Sequence, residues 1–447
     1  MAAAKDLPLI CNFGAQSIFA YRRGAAISPA QFLSDVTQLA RRLPDAGHVV
    51  NLCADRYRFT VGFAAALVRS QVNLLPPNQA PETLGHLLRA YPDTYCLSDG
   101  ADHTSVPTVM FPELDSSPSG NALVPSVPAD QIAAILSTSG STALPVPHAK
   151  TWGGLVRSVR AKLGRLGLEG RSNTTIVGTV PPQHMYGLES TVLLVLQGGL
   201  ALHAARPFYP ADVCAELEAI PGPRALVTTP VHLRALLAES AALPRLDFLI
   251  CATAPLSPQL AAEGEARFAA PLYEIYGCTE GGELATRRTV ETPEWQALPG
   301  ITMRQDDQGT WVRGGNVDAE ILLSDVIELC AADRFLLHGR NADLVNIAGK
   351  RTSLANLNYH LNSIEGVRDG VFIMPEARGD VVARLTAFVV APGLTQDALL
   401  NALRRRIDPA FMPRPLHLVA ALPRNPTGKL PRAALDALMA GLPAKER

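Results

Sequence analysis

Ile132-Ala-Ala-Ile-Leu-Ser-Thr-Ser-Gly-Ser-Thr142 is a short apolar run that breaks abruptly into hydroxyls and a glycine. Five apolar residues without polar alternation suit a strand buried on both faces, the signature of a parallel sheet. Working outward, the runs Thr175-Ile-Val-Gly-Thr-Val180, Ala225-Leu-Val-Thr228 and Phe248-Leu-Ile-Cys251 read the same way. Between such runs lie helical patterns, as at Phe32, Val36, Leu39 and Leu43. Strands alternating with helices predict layered α/β architecture with parallel sheets. No repeat of fixed period is present. From about Met303 to Leu337 the texture changes to short runs such as Thr310-Trp-Val-Arg313, Ala319-Glu-Ile-Leu-Leu323 and Arg334-Phe-Leu-Leu337, which predict hairpins and a small β-barrel. After Arg340 an α+β pattern begins. Leu354, Leu357, Leu361 and Ile364 fit one helix face, and Leu399, Leu400, Leu403 and Ile407 another. Strands are predicted over 371–374 and 385–390. The boundary near 340–342 divides a large N-terminal domain (1–340) from a small C-terminal one (341–447).

Composition narrows the partners. Hydrophobic residues make up 47% and charged residues 18% of 447, which suits packed domains and not a disordered chain. The formal net charge of −1 gives no electrostatic reason to expect nucleic acid or an anionic membrane. The seven cysteines are dispersed without a Cys-x-x-Cys pair, so they read as reduced, buried thiols of a cytoplasmic protein. No basic segment followed by a long apolar stretch opens the chain, so no signal peptide is expected. The longest apolar region, Val192 to Ala205, is interrupted by Gln197, Gly198, Gly199 and His203 and is too short to span a bilayer.

Three segments carry chemistry. In Ser137-Thr-Ser-Gly-Ser-Thr142, small residues allow an anion close to the backbone, and hydroxyls and N–H groups can donate to phosphate oxygens; a Ser/Thr/Gly turn after a buried strand explains the stretch equally well. In Tyr276-Gly-Cys-Thr-Glu280, a carboxylate beside a hydroxyl could hold Mg²⁺ and the tyrosine could stack on a base; the alternative is a solvated loop glutamate. In Pro423-Arg-Asn-Pro-Thr-Gly-Lys429, a Pro/Gly turn presents a lysine that can neutralise developing charge, although a lysine near a C-terminus commonly serves only solubility.

The order and spacing of these segments resemble the acyl- and aryl-adenylating superfamily: acyl-CoA synthetases, nonribosomal peptide adenylation domains, luciferases and acyl-carrier-protein ligases. Tyr276 to Glu280 fit its Tyr-Gly-x-Thr-Glu signature, Asp325 and Gly339-Arg340 its spaced aspartate and Gly-Arg, and Asn425-Pro-Thr-Gly-Lys429 its last motif. Pro181-Pro-Gln-His-Met-Tyr-Gly187 looks like its Pro-x-x-His-x-Tyr-Gly segment, and Ala252-Thr-Ala-Pro-Leu256 like the segment that meets adenine. The resemblance spans roughly residues 130 to 432. It implies a small, mobile C-terminal lid, ATP and Mg²⁺ as cofactors, and activation of a carboxylic acid to acyl-AMP. By the same resemblance Thr138, Ser139, Gly140, Ser141 and Thr142 hold phosphates, Ala254 and Tyr276 meet adenine, and Asp325 and Arg340 take the ribose or phosphates. Glu280 holds the metal, with Thr279 close to the α-phosphate. His184, Tyr186 and Gly277 border the acyl group, Lys429 bridges carboxylate and α-phosphate, Gly349 opens a thiol tunnel, and Ala342 is the hinge.

The sequence departs from that pattern at Ala143, where Gly is usual, at Val146, where Lys is usual, and at Ala342, where Asp or Lys is usual. Lys150 lies four residues beyond Val146. The short region before the phosphate loop resembles stand-alone ligases of aryl-polyene and pigment pathways, which load an aromatic acid onto an acyl carrier protein. The rivals are a ligase using free CoA and a degenerate homologue that binds nucleotide or acid without catalysis. A P-loop NTPase is set aside, because no Gly-x-x-x-x-Gly-Lys-Ser/Thr occurs at 137–151.

Overall fold

The computed structural model describes residues 6–76, 78–100, 107–115, 123–137, 147–239, 242–340, 344–347, 350–374, 384–424 and 430–440. Side chains start its helices where the sequence supplies them. Ser28, Asp55, Thr151, Ser257, Ser353 and Thr395 each accept a hydrogen bond from a first-turn N–H, satisfying donors that have no partner within the helix. The helix Pro29–Ala40 then buries Phe32, Val36 and Leu39 as its spacing predicts.

The large domain is built on two sheets. Six strands in the order 147–151, 132–137, 72–75, 48–51, 94–98, 108–110 form one. Ile132–Ser137 and Pro147–Thr151 pair antiparallel there. The other sheet has eleven strands. Its central members, Thr175–Gly178, Arg224–Thr228, Phe248–Cys251 and Leu272–Cys278, run parallel. The expected strand over 175–180 stops at Gly178, and the carbonyls of Gly178 and Val180 accept from the buried Arg56 guanidinium at 2.7 and 3.0 Å instead.

The sheet reverses direction at Leu272–Cys278, which pairs antiparallel with Gly282–Arg287. The antiparallel texture therefore begins near Gly282, earlier than the sequence reading placed it. Gly282–Arg287, Trp295–Ala297, Asp325–Ala331 and Arg334–Arg340 extend the sheet, and Ile301–Asp306, Gly309–Gly314 and Val317–Leu322 form a separate antiparallel ribbon. Together they enclose one small core that includes Leu284, Trp295, Val312, Ile327 and Phe335, the barrel-like unit expected.

The smaller C-terminal unit is α+β. Helices Leu354–Asn362 and Gln396–Arg404 pack on a three-stranded sheet of Asp369–Ile373, Thr386–Val390 and Leu416–Leu418. Leu357, Leu361, Phe372, Val389, Leu399 and Leu403 make its core. All seven cysteines are free, but the reading of them as buried holds only for Cys53, Cys96 and Cys251; Cys11, Cys214 and Cys278 are half-buried. Cys330 is exposed, on the solvent side of its hairpin strand. Among the described residues, no helix is long and apolar enough to cross a membrane.

Candidate active site

Open parallel sheets bind ligands beyond the carboxyl ends of their strands. Here those ends carry the Pro181–His184 loop, Thr228, the Ala252–Ala254 exit and the Tyr276–Glu280 turn, side by side because their strands are neighbours. The turn lies where the sheet switches direction.

Tyr276 is buried against Trp295 and Phe335, with ring centroids at 5.6 and 5.7 Å. Its hydroxyl donates to Asp325 Oδ2 at 2.8 Å. Asp325 opens its strand directly opposite Arg340 in the hairpin, so the fifteen-residue sequence spacing becomes a cross-strand pair. Gly277 stands at a register shift, and a Cβ there would lie 2.3 Å from the Gly282 carbonyl oxygen. The turn closes only with glycine.

Thr279 is half-buried and Glu280 exposed. The Lys150 ammonium donates to the Glu280 backbone carbonyl, and His148 Nε2 lies 3.9 Å from the Glu280 carboxylate. A half-exposed carboxylate left this open is the hard oxygen donor that Mg²⁺ prefers. Asn316 Nδ2 donates to the carbonyls of Gly281 at 2.8 Å and Glu283 at 3.1 Å. Burial pushes the Cys278 thiol up to about 12, so it stays protonated.

His184 caps the short helix Met185–Gly187 and is half-buried. Its loop is tightly closed, since a Cβ on Gly187 would meet the Pro181 carbonyl oxygen at 1.9 Å. The Tyr186 hydroxyl lies 2.9 Å from the Thr228 carbonyl and 3.0 Å from that of Ile250 and is shared between them. Its polar end thus ties two strand ends together. Ala254 is half-buried and follows Thr253, whose φ of 83° turns the chain out of its strand. The remaining predicted residues, Thr138 to Thr142, Ala342, Gly349 and Lys429, lie outside the described residues, as does the side chain of Arg340. Arg424, immediately before the Asn425–Lys429 segment, is held by Asp369 at 2.7 and 2.8 Å, and Arg234 of the large domain lies 3.5 Å from the same carboxylate.

A buried charge cluster beneath the turn went unread in the sequence. Lys162, fully buried, pairs with Glu283 at 2.7 Å and donates to the Glu189 carbonyl and Ser190 Oγ, both at 3.1 Å. Glu189 accepts from Ser158 Oγ at 2.7 Å. Burial, then the neighbouring Glu283, pushes its carboxyl up to about 8. The available signal was spacing: Leu155, Ser158 and Lys162 share one face of the helix Trp152–Arg165.

Comparison with known proteins agrees with this geometry. The profile of the family described as AMP-binding enzyme matches residues 16–314. The 4-coumarate–CoA ligase of Rhodobacter capsulatus is 29% identical over 300 residues, covering 66% of this chain and 74% of that protein. ATP-bound MatB from Rhodopseudomonas palustris superposes with a TM-score of 0.80 at 17% identity, over 96% of this chain and 97% of that one. The O-succinylbenzoate coenzyme A synthetase MenE from Bacillus subtilis, in complex with AMP, gives 0.78 at 16% identity, over 96% and 98%. At those identities the likeness is one of fold.

Proposed function

We propose, from the premise that the chain belongs to the AMP-binding enzyme family, that it activates a carboxylic acid, an aromatic one, with ATP and passes the acyl group to a phosphopantetheine thiol. In the first step a carboxylate oxygen bonds to the α-phosphorus and the bond to pyrophosphate breaks. In the second, the thiol sulfur bonds to the acyl carbon, its proton is lost, and AMP leaves with the electron pair of the broken C–O bond.

Both substrates of the first step are anions, so the site must offset their repulsion. Thr138 to Thr142 would hold the departing phosphates and Thr279 would stand by the α-phosphate. Asp325 would accept from the ribose hydroxyls, as two carboxylate oxygens can. Tyr276 and Ala254 would border adenine, Arg340 would support ribose or phosphates, and His184, Tyr186 and Gly277 would border the acid. Lys429 would place positive charge between carboxylate and α-phosphate. Glu280 would hold Mg²⁺, which when bound supplies neutralising charge across the phosphates. Ala342 would be the hinge of a 341–447 lid, and Gly349 would border the thiol.

The observation that carries this reading is the Tyr276–Asp325 hydrogen bond, with Arg340 across the strand from Asp325. It joins two segments far apart in sequence at one edge of the sheet. Acid-dependent exchange of pyrophosphate into ATP, over aromatic, short-chain and long-chain acids, tests it. No exchange with any acid would leave a nucleotide- or acid-binding protein without this chemistry. The carrier protein is the acceptor favoured by the sequence. The second reading, free CoA, is favoured by the name of the Rhodobacter capsulatus relative. Rapid thioester formation with CoA alone, and none with carrier protein, decides for CoA.

A further inference from the structure

The Tyr276–Glu280 turn carries the carboxylate assigned above to the metal, yet the sequence has valine at 146, where the resembling family carries lysine. Four residues further on, Lys150 leaves the strand Pro147–Thr151 and its ammonium reaches the Glu280 backbone carbonyl. The surroundings explain why the lysine stays there. Lys150 lines a small cavity of about 10 Å³ together with Ser158, Glu189, Gly281, Asn316 and Asp318. Glu189 is 1% exposed, and its Oε2 has no hydrogen-bond partner among the described residues. The ammonium therefore faces Glu189 and Asp318 on one side and the turn on the other. Asp318 is already paired with Arg157 at 2.6 Å and bonded by Thr151 Oγ1 at 3.0 Å. The Glu280 carbonyl is the acceptor that holds this half-buried ammonium.

We propose that Lys150 is a positioning residue for the metal site. By holding the Glu280 carbonyl it fixes the direction in which the Glu280 side chain leaves the turn, and so where Mg²⁺ is held. Lys150 acts through the backbone of the turn and touches no phosphate. The assignment rests on the adenylation reading only in taking Glu280 as the metal ligand.

The test measures binding, without acid or turnover. Mn²⁺ replaces Mg²⁺, and its affinity for the protein–ATP complex is read by electron paramagnetic resonance in the wild type, Lys150→Met and Lys150→Arg. ATP affinity in EDTA is measured alongside. Lys150→Met is expected to weaken Mn²⁺ binding tenfold or more while metal-free ATP binding stays within twofold, which also reports that the variant is folded. Lys150→Arg, which keeps a charged donor, is expected to hold Mn²⁺ within about threefold of wild type. Lys150→Gln replaces the methionine variant if that one does not fold, with the same expected loss. Unchanged Mn²⁺ affinity without the ammonium overturns the proposal. So does an equal loss of metal-free ATP binding, which would mean direct contact with phosphate. A wild-type protein that binds Mn²⁺ and ATP but shows no acid-dependent exchange would sink the adenylation reading and leave the role of Lys150 intact.

Discussion

Replacing Lys162 by methionine keeps much of the side-chain volume and removes the only positive charge bonded to the Glu283 carboxylate among the described residues. Lys162 is fully buried and satisfies three acceptors, on Glu283, Glu189 and Ser190. Breaking a buried pair from one side costs about 3–5 kcal/mol, because the partner charge is left without compensation. The cost should depend on pH in a direction the cluster fixes. Burial and Glu283 raise the Glu189 pKa from 4.5 to about 8. The folded state therefore binds that proton more tightly than the unfolded chain. The stability this contributes is full below pH 4.5 and is lost as pH rises through about 8. Lys162 also holds the Glu189 pKa down, so without it Glu189 must keep its proton to higher pH, and the variant should lose about 3–5 kcal/mol at pH 8 and less at pH 5.5. Urea unfolding followed by tryptophan fluorescence measures this in the right place. The three tryptophans, Trp152, Trp295 and Trp311, all precede residue 340, and Trp152 begins the helix that carries Lys162. The double variant Lys162→Met/Glu283→Leu, which removes both charges, should return to within about 1 kcal/mol of wild type. A single-variant loss below about 1 kcal/mol at pH 8, or the same loss at both pH values, would refute the ion-pair account.

Three further outcomes follow from the site. Tyr276→Phe removes the hydroxyl that donates to Asp325 and should raise the KM for ATP about tenfold in the exchange assay, the value of roughly one hydrogen bond to a charged acceptor, with the KM for acid unmoved. Gly277→Ala brings a methyl within 2.3 Å of the Gly282 carbonyl oxygen, and displacing the turn should lower exchange roughly 100-fold, read as kcat/KM. Lys429→Ala should cut acid-dependent exchange by roughly 10²–10³, the scale of one lost charge-stabilising group. The same variant should still form thioester from supplied acyl-adenylate; equal loss in both assays would place Lys429 in both steps.

Much of the architecture was legible because the buried parallel strands are continuous apolar runs, as at Phe248–Cys251, and helix faces repeat at helical spacing, as at Phe32, Val36 and Leu39. The Asp325 and Arg340 spacing was legible because a hairpin converts sequence distance into register. Less legible were groups whose meaning depends on what covers them. Arg56 and Lys162 drew no reading from the sequence, because their partners Gly178, Val180, Glu189 and Glu283 come together only in the fold. Tyr186 read as a pocket residue, yet its hydroxyl finds two strand-end carbonyls that only the sheet order brings near.

The hairpin from Leu272 to Arg287 is held by four side chains from separate elements: Asp325 at Tyr276, Lys150 at Glu280, Asn316 at Gly281 and Glu283, and Lys162 at the Glu283 carboxylate. On the proposed reading the turn receives a polyphosphate and a cation, and it must then present its groups without rearranging as charge develops. Local backbone bonds are irregular here, since the strand pairing shifts register between Tyr276 and Gly277. The shift is braced by side chains from the strand Pro147–Thr151, the helix Trp152–Arg165 and the barrel-like unit. Each restraint is set during folding, so it costs nothing when substrates bind. Loosening any one of them should therefore cost more in catalysis than its own contact is worth in stability.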